Sequence, residues 1–264
     1  MTRVSIGFVG CGHLAQYMIE GLLTAKAPYE IHLFNRTHEK AIAFAKKRSG
    51  LCVHDEVQSL VDASSIIVVA TRPADVSAAI AACDFSQGQI VLSVAAGVGL
   101  ADLQKWSAPA IAVRSLPLAC VKHNLSPTAL FPANEKAERL LFFLGQVHVL
   151  PSEDQFGAIS ALTGAFFAWL IPLLDHASKW GVAAGLEPEQ ARAFAVETMF
   201  GAAHMAAQEP DKSLEDIWTS LATPGGISEQ GQNIIEKRGG LSAYGHALDA
   251  VRERMEKAGQ GEKS

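Results

Sequence analysis

A glycine-rich turn near the start of the chain has the residue types that could hold a pyrophosphate. The apolar run Val4–Val9 is followed by Gly10-Cys11-Gly12-His13-Leu14-Ala15, a G-x-G-x-x-A pattern. In such a turn the first glycine permits the tight bend, the second lets backbone approach a phosphate, and the small third residue lets a helix pack closely. The N–H groups that begin the helix then face the anion. The pattern predicts a dinucleotide site, and a plain strand-to-helix turn is the alternative.

The residues after the second predicted strand indicate which nicotinamide cofactor is used. The chain has Asn35-Arg36-Thr37 there, where a site for NAD(H) carries an acidic residue that binds the ribose 2′-hydroxyl. A guanidinium beside an amide and a hydroxyl suits a 2′-phosphate instead. We therefore predict NADP(H) in preference to NAD(H), with an ordinary exposed charge as the alternative for Arg36.

Two further turns of small residues follow later predicted strands. They are Ala70-Thr71-Arg72-Pro73 and Ser93-Val94-Ala95-Ala96-Gly97. Open α/β sheets bind ligands at the carboxyl ends of their strands, and small side chains there let a nicotinamide lie against backbone. We predict that both turns contact the cofactor, and simple loop punctuation is the alternative.

The elements that must position these turns alternate between strand and helix over the first 150 residues. Several strands are apolar without alternation, as in a parallel sheet that is covered on both faces. Alternation of this kind predicts an α/β domain of the Rossmann type, with a doubly wound sheet, over residues 1–150. The predicted strands are 4–10, 31–35, 65–70, 89–94, 110–116 and 146–150, and the predicted helices are 14–24, 39–47, 74–82 and 100–106.

After residue 150 the strand signals stop and the chain becomes rich in alanine. This pattern predicts an all-helical domain over residues 151–264, for substrate binding and dimerisation. Pro188 opens one of its helices at the first turn, where the missing N–H costs nothing. The predicted helices are 153–180, 188–208, 213–221, 228–237 and 241–257.

One helix of the second domain is apolar on almost every side. Residues 162–174 contain a Gly and a Pro and fall short of the roughly 20 apolar residues of a membrane span, so we predict a buried helix and no membrane partner. A helix that is apolar all round is buried all round. In so small a domain this favours a homodimer, with higher oligomers left open, and burial against the first domain is the alternative.

Composition and cysteine use exclude several classes of function. The chain has 264 residues, 49% of them hydrophobic and 19% charged, which excludes a disordered protein. A net charge of −5 without a long basic run argues against a nucleic-acid partner. Four cysteines without a C-x-x-C pair, and no recognisable signal peptide, predict a reducing cytoplasm. His176 and His204 have no partner at metal-binding spacing on their helices, and we predict no metal site.

Motifs along nearly the whole chain follow one known pattern. IGFVGCGHLAQYMIEGL matches I-G-F-I-G-x-G-x-M-A-x-A-I-I-x-G-L, and NRT, ATRP and SVAAGV match the turns of the same pattern. VRSLPLACVKHNLSPTAL, GLEPEQARAFAVETMFGAAHM and TPGGIS align with its later motifs. The chain thus resembles the pyrroline-5-carboxylate reductase family.

The resemblance implies a dimeric cytoplasmic enzyme that reduces Δ1-pyrroline-5-carboxylate to L-proline with NAD(P)H. It also implies contacts residue by residue. Together with the turns above, the predicted cofactor contacts are Phe8, Gly10, Cys11, Gly12, His13, Leu14, Asn35, Arg36, Thr37, Ala70, Thr71, Arg72, Pro73, Ala95, Ala96 and Ser220. The substrate contacts that the resemblance implies are Glu153, Ile227 and Ser228. We add Thr163, Phe166, Phe167, Gly225 and Gly226 as predicted substrate contacts from their place in the aligned pocket and turn motifs.

The chain departs from the family where the substrate would lie. The family's M-P-N-T-P is Leu116-Pro117-Leu118-Ala119-Cys120 here, and its S-G-S-G-P-A-Y is 163–169, with Phe166 and Phe167 in place of Gly and Pro. Such changes fit either a bulkier, more apolar imine or drift within a genuine pyrroline reductase. A homologue that binds the cofactor without catalysis is a third possibility. A β-hydroxyacid-type dehydrogenase would need a helical lysine, for which Lys179 is the only, poorly matching, candidate.

Catalysis by such a reductase needs alignment and one proton rather than a catalytic diad. Hydride attacks the carbon of a protonated C=N bond, so the protein aligns the reactants and supplies the nitrogen proton. We assign Ser228 as the donor to that nitrogen, because a hydroxyl can donate. Gly225 and Gly226 offer backbone N–H groups for a substrate carboxylate, and a simple turn between helices is the alternative for this segment.

Overall fold

A single sheet of eight strands is formed in the first 150 residues of the computed structural model, which describes residues 4–259. The strand order is β3-β2-β1-β4-β5-β6-β7-β8, and every neighbouring pair is parallel except β6 with β7. The predicted Rossmann-type α/β architecture is therefore confirmed. The strands are β1 (Val4–Val9), β2 (Tyr29–Phe34), β3 (Leu51–Val53), β4 (Ile66–Val69), β5 (Ile90–Ser93), β6 (Ile111–Leu116), β7 (Thr128–Phe131) and β8 (Val147–Val149).

Helices cover both faces of this sheet, and further helices follow it. Those among the strands are α1 (His13–Thr24), α2 (His38–Ala45), α3 (Val57–Asp62), α4 (Val76–Ile80), α5 (Leu100–Ser107) and α6 (Glu135–Phe142). The later ones are α7 (Phe156–Ile159), α8 (Phe166–Ala183), α9 (Pro188–Gln208), α10 (Leu214–Leu221), α11 (Ile227–Lys237) and α12 (Gly240–Gly259).

The central strands are apolar on both sides because both sides are covered. All four residues of β4 and all four of β5 are buried. One apolar cluster packs α1, α2 and α6 on one face of the sheet, and a second packs α3, α4 and α5 on the other. This is why these strands lack the alternation of a half-exposed sheet.

Sequence reasoning missed four short elements. They are β3, β7, α3 and α6, of which β3 has only three residues. The predicted sheet also had no antiparallel pair, whereas β7 runs antiparallel to β6. Strands of three or four residues are determined by the neighbour with which they pair, because their own pattern is too short to show a period.

The chain forms two compact units. The first comprises residues 4–163 together with 252–259, and the second is Gly164–Val251. The boundary predicted near residue 150 coincides with the end of β8, but 151–163 and the end of α12 pack within the first unit. A Cβ on Gly157 would lie 3.1 Å from Glu256 Cγ, which illustrates how closely these segments approach.

The helix predicted over 153–180 is present and runs from Glu153 to Ala183, but its type changes along its length. A 3-10 turn (Glu153–Gln155) and α7 lead into a π-helical segment (Ser160–Ala165), and α8 follows. The Ser160 hydroxyl donates to the Phe156 carbonyl and the Thr163 hydroxyl to the Ile159 carbonyl, each at 2.6 Å. Hydroxyls that bond back to the preceding turn compete with the backbone N–H groups and bend helices.

The predicted burial of α8 is not reached within the single chain. Ile171 is 59% exposed and Trp180 70% exposed. By length and composition alone, Glu153–Ala183 could cross a membrane. An apolar helix that packs against another protein chain meets the same criteria, so burial between two chains stays a prediction.

Replacing Gly21 by alanine should destabilise the protein, although alanine is normally the better helix former. Gly21 lies inside α1, where an added Cβ would collide with the Val121 carbonyl oxygen. The segment is fixed there because the Asn124 amide donates to the Gly21 carbonyl (3.0 Å) and to the Phe143 carbonyl (2.6 Å). We expect Gly21→Ala to lower the free energy of unfolding by about 1–3 kcal/mol, measured by urea denaturation.

Gly231→Ala is the matched control. Gly231 lies inside α11 with no atom within 4 Å of an added Cβ. There the substitution should leave stability unchanged or raise it by up to about 1 kcal/mol. Equal effects of the two substitutions would contradict the close packing at Gly21.

Candidate active site

The predicted cofactor turns meet at one edge of the sheet. They follow β2, β1, β4 and β5, which lie side by side in the sheet in this order. Hydrogen bonds join the turns to one another: Gly10 N–H donates to the Phe34 carbonyl (2.8 Å) and Ala70 N–H to the Val9 carbonyl (2.9 Å). The sheet therefore brings together the four segments that the sequence singled out for this half of the site.

The two glycines of the first turn have different roles. Gly10 has φ +106°, and a Cβ there would lie 2.7 Å from the Ala70 carbonyl oxygen. A Cβ on Gly12 would meet only that same oxygen, at 4.0 Å, so the space above it is open. Gly12 precedes α1 without a side-chain cap. An open cradle at a helix N-terminus fits a pyrophosphate.

Asn35 holds the glycine turn in place. Its Oδ1 accepts from Cys11 N–H (3.0 Å), and its Nδ2 donates to the Thr37 carbonyl (2.8 Å). Both ends of the amide make hydrogen bonds within the protein, and its contact with a 2′-phosphate stays a prediction. Arg36, next to it, is exposed and remains the candidate for that phosphate.

Phe8, in β1, and the side chain of Cys11, within the turn, are buried. Phe8 is fully buried. The Cys11 side chain is buried, its N–H is taken by Asn35, and its carbonyl accepts from Gln16 Nε2 (3.1 Å). Burial raises the pKa of the Cys11 thiol. Gln16, whose amide binds the Cys11 carbonyl, is a supporting residue that the sequence analysis missed, and Phe8 and Cys11 as cofactor contacts stay predictions.

The turn after β4 contains a buried hydroxyl with no hydrogen-bond partner in the described residues, Thr71 Oγ1. A buried hydroxyl is costly to leave unpaired, so a polar ligand atom at this point would satisfy it. Arg72 donates from Nε to Asp75 Oδ2 (2.8 Å) and is otherwise exposed. Pro73 begins a 3-10 turn, Pro73–Asp75.

The remaining predicted cofactor contacts differ in exposure. His13 is exposed and stacks on Tyr17 with ring centroids 6.4 Å apart, whereas Leu14 is half-buried against the core. Thr37 is exposed, Ala95 is buried and Ala96 is half-buried. Ser220 belongs to the second unit, where its hydroxyl donates to the Ile217 carbonyl (2.7 Å).

A cavity of about 550 Å³ lies in the first unit beside the turn after β5. Its wall includes Ala95, Ala96, Arg114 and Glu153. Glu153 Oε1 accepts from Leu100 N–H (2.7 Å) and from the Arg114 guanidinium. That oxygen is thus already engaged, while Glu153 as a substrate contact stays a prediction. Arg114 was missed, although it stands inside the quoted VRSLPL motif.

The predicted carboxylate-binding turn of the second unit is partly occupied by the protein itself. Gly225, at φ +74°, donates its N–H to Glu229 Oε2 (2.7 Å), and Gly226 N–H donates to the Thr223 carbonyl (2.8 Å). Both N–H groups thus have acceptors within the protein, and their contact with a ligand stays a prediction. The first-turn N–H groups of α11, those of Ile227, Ser228 and Glu229, have no intrahelical acceptors, and the side chains of Ile227 and Ser228 are exposed.

The two phenylalanines that replace family residues are half-buried in the second unit. The Phe166 ring meets Tyr244 edge-on, with centroids 6.1 Å apart.

Lys179, the lysine that a dehydrogenase of the β-hydroxyacid type would need, is exposed. It forms a surface ion pair with Asp175, with Nζ 2.7 Å from Oδ2. Among residues 4–259, no three His, Cys, Asp or Glu side chains are grouped closely enough to hold a metal ion.

Comparison with known proteins gives matches along the whole chain. The family model "Pyrroline-5-carboxylate reductase dimerisation" matches residues 153–258, and "NADP oxidoreductase coenzyme F420-dependent" matches residues 5–97. Pyrroline-5-carboxylate reductase 2 of Bacillus subtilis (strain 168) is 26% identical over 94% of this chain and 93% of that protein.

Solved structures share the fold. The 1-pyrroline-5-carboxylate reductase of Streptococcus pyogenes is 23% identical, with a TM-score of 0.84 over 98% of this chain and 99% of that one. Plasmodium falciparum pyrroline carboxylate reductase, solved with NADP bound, is 17% identical with a TM-score of 0.83 over the same shares.

Asn35 and Arg36 should affect nucleotide binding differently. Asn35→Ala removes the acceptor for Cys11 N–H, so it should weaken NADPH and NADH alike, by about 1–3 kcal/mol. Arg36→Ala removes a charge-assisted contact to the 2′-phosphate, so NADPH should lose about 1.5–3 kcal/mol and NADH almost nothing. Dissociation constants from the fluorescence of the two reduced cofactors measure both effects.

Each variant is the control for the other. If Arg36→Ala weakened NADH as much as NADPH, Arg36 would be a structural residue. If Asn35→Ala weakened NADPH alone, its amide would contact the phosphate after all.

Proposed function

We propose that the chain is a member of the pyrroline-5-carboxylate reductase family and that it reduces Δ1-pyrroline-5-carboxylate to L-proline with NADPH. The observation that carries the proposal is the match to a reductase of this name over 94% of the chain. An open cradle at the glycine turn supports the nucleotide half of the proposal.

NADPH is the proposed cofactor. When bound, it supplies the hydride for the imine carbon. In this chain Gly10 and Gly12 shape the cradle, Asn35 holds that cradle to the end of β2, and Arg36 presents a cation for the 2′-phosphate. Thr71 Oγ1, which is buried and unpartnered in the described residues, offers one more polar contact.

The proposed substrate contacts lie around the start of α11. The Ile227 and Ser228 N–H groups would hold the carboxylate, because the first turn of a helix favours an anion. The Ser228 hydroxyl would hold and donate the proton at the imine nitrogen. The proposal also includes substrate contacts from Glu153, Thr163, Phe166 and Phe167. It further assigns cofactor binding to residues 1–150, and substrate binding and dimerisation to residues 151–264.

The family's own substrate is favoured over a bulkier imine. The departures are confined to a few positions such as Leu118, Ala119 and Phe167, whereas the match continues through both units. Phe166 packs on Tyr244, which gives this ring a structural role that needs no altered substrate. The same continuity argues against a homologue that merely binds the cofactor.

We also propose a homodimer in a reducing cytoplasm, with assembly beyond the dimer left open. The matched dimerisation model covers 153–258, the part of the chain that exposes Ile171, Phe194, Phe200 and other large apolar side chains. Apolar patches of this kind mark interfaces. All four cysteines are free, as expected in a reducing compartment.

The reaction can be tested directly by following NADPH oxidation. Wild-type protein should turn over Δ1-pyrroline-5-carboxylate faster than 1-pyrroline or larger cyclic imines. Ser228→Ala should lower kcat by about 10²-fold, the usual contribution of a positioned proton donor. Ser228→Thr, which keeps the hydroxyl, is the matched control and should retain most of the activity. Faster turnover of a larger imine, or full activity in Ser228→Ala, would contradict the proposal.

The dimer can be tested by light scattering. The purified protein should have at least twice the mass of the 28.1 kDa chain. Phe200→Asp places a charge on an exposed apolar surface of α9, so it should shift the mass toward that of one chain. A wild-type monomer at micromolar concentration would contradict the proposed dimer.

A further inference from the structure

We propose that Arg114 is a positioning residue for the nicotinamide half of the cofactor, acting through Glu153 on the loop between β5 and α5. The inference rests on the proposed NADPH site and names a residue of that site to which no role is yet assigned. The loop comprises residues 94–99 and contains Ala95 and Ala96, the predicted neighbours of the nicotinamide.

Arg114 is held in one orientation. It lies on β6 opposite Ser93 of β5, and its side chain is only 11% exposed. The guanidinium pairs with Glu153 Oε1, and its central carbon lies 4.3 Å above the centroid of the Phe156 ring. A guanidinium that is both paired and stacked has little freedom, so it fixes the Glu153 carboxylate in turn.

Glu153 transmits this order to the loop. The same Oε1 accepts from the N–H of Leu100, the first residue of α5, at 2.7 Å. That N–H has no acceptor within its own helix, and the residue before it, Gly99, provides no side-chain cap. Glu153 therefore caps α5 from a segment 53 residues further along the chain.

A side-chain acceptor binds a backbone N–H group at each end of the loop. At its start, Ala95 N–H donates to Ser93 Oγ (3.2 Å), and at its end the Leu100 N–H is bound by Glu153. Gly97 lies between them at φ +83°, so the loop contains a residue with wide conformational freedom. Without Arg114, the Glu153 carboxylate that binds the Leu100 N–H loses its orientation, and the loop becomes more mobile.

Strand order separates this effect from the rest of the cofactor site. Arg36, the proposed phosphate contact, follows β2, while the loop follows β5, with β1 and β4 between these strands. Loss of Arg114 should therefore weaken binding of the nicotinamide half and leave the 2′-phospho-ADP-ribose half unaffected.

The experiment compares NADPH with 2′-phospho-ADP-ribose, which is the same molecule without nicotinamide. In Arg114→Gln, the dissociation constant for NADPH should rise about five- to tenfold, while that for the fragment should stay within about twofold of wild type. Glu153→Ala should change the ratio of the two dissociation constants, NADPH over fragment, by the same factor. The double variant should change that ratio little further, because the two residues act as one unit.

Arg48→Gln is the matched control. Arg48 also pairs with a carboxylate, Glu20, and lies 3.8 Å above a phenyl ring, Phe44, in the same unit. Its loss should lower the melting temperature but leave the ratio of the two dissociation constants unchanged. If Arg114→Gln is too unstable to purify, Arg114→Lys and Glu153→Gln carry the same comparison, with smaller expected ratios.

The outcomes separate this inference from the proposed function. Wild-type protein that binds neither NADPH nor the fragment would overturn the proposed cofactor and this inference with it. Wild-type binding of both, with Arg114→Gln weakening both equally or neither, would overturn the positioning role alone. A ratio altered as much by Arg48→Gln would show a general loss of stability instead.

Discussion

Parallel pairing of strands that are buried on both faces is the constraint on which the rest of the structure depends. Once these strands lie side by side, as β1, β2, β4 and β5 do, their backbone groups form hydrogen bonds with one another. Their apolar side chains are then covered by the helices on the two faces of the sheet. Their carboxyl ends are then forced to one edge. Four loops far apart in sequence meet there without any contact between their side chains being needed.

Polar side chains at that edge mostly hold backbone in place. Asn35 binds the Cys11 N–H, Gln16 the Cys11 carbonyl and Glu153 the Leu100 N–H. Each satisfies a main-chain group that a tight turn or a helix end leaves unpaired. The surfaces left to a ligand are then chiefly glycine and alanine backbone, which suits a cofactor that brings its own reactive group.

The local sequence pattern was sufficient to predict the elements that have a long periodic run of residues or a strict backbone geometry. The glycine turn, the strands β1, β4 and β5, and helix α9 could be predicted, because each depends on a run of residues or on a positive φ at one position. Arg114 could not be assigned a role, since its partners Glu153 and Phe156 lie about forty residues away. The sequence also could not show that Glu229 and Thr223 accept from the N–H groups of Gly225 and Gly226, which are predicted to face a ligand.

The path of the chain gives the second unit an unusual connection. The chain leaves the first unit at Thr163 and re-enters it at Arg252, so the second unit is an insertion with two tethers rather than a terminal appendage. A single backbone cut anywhere in 164–251 leaves both fragments attached to the first unit by their own packed segments. During synthesis, the first unit cannot acquire its last helical turns until the whole insertion has been made.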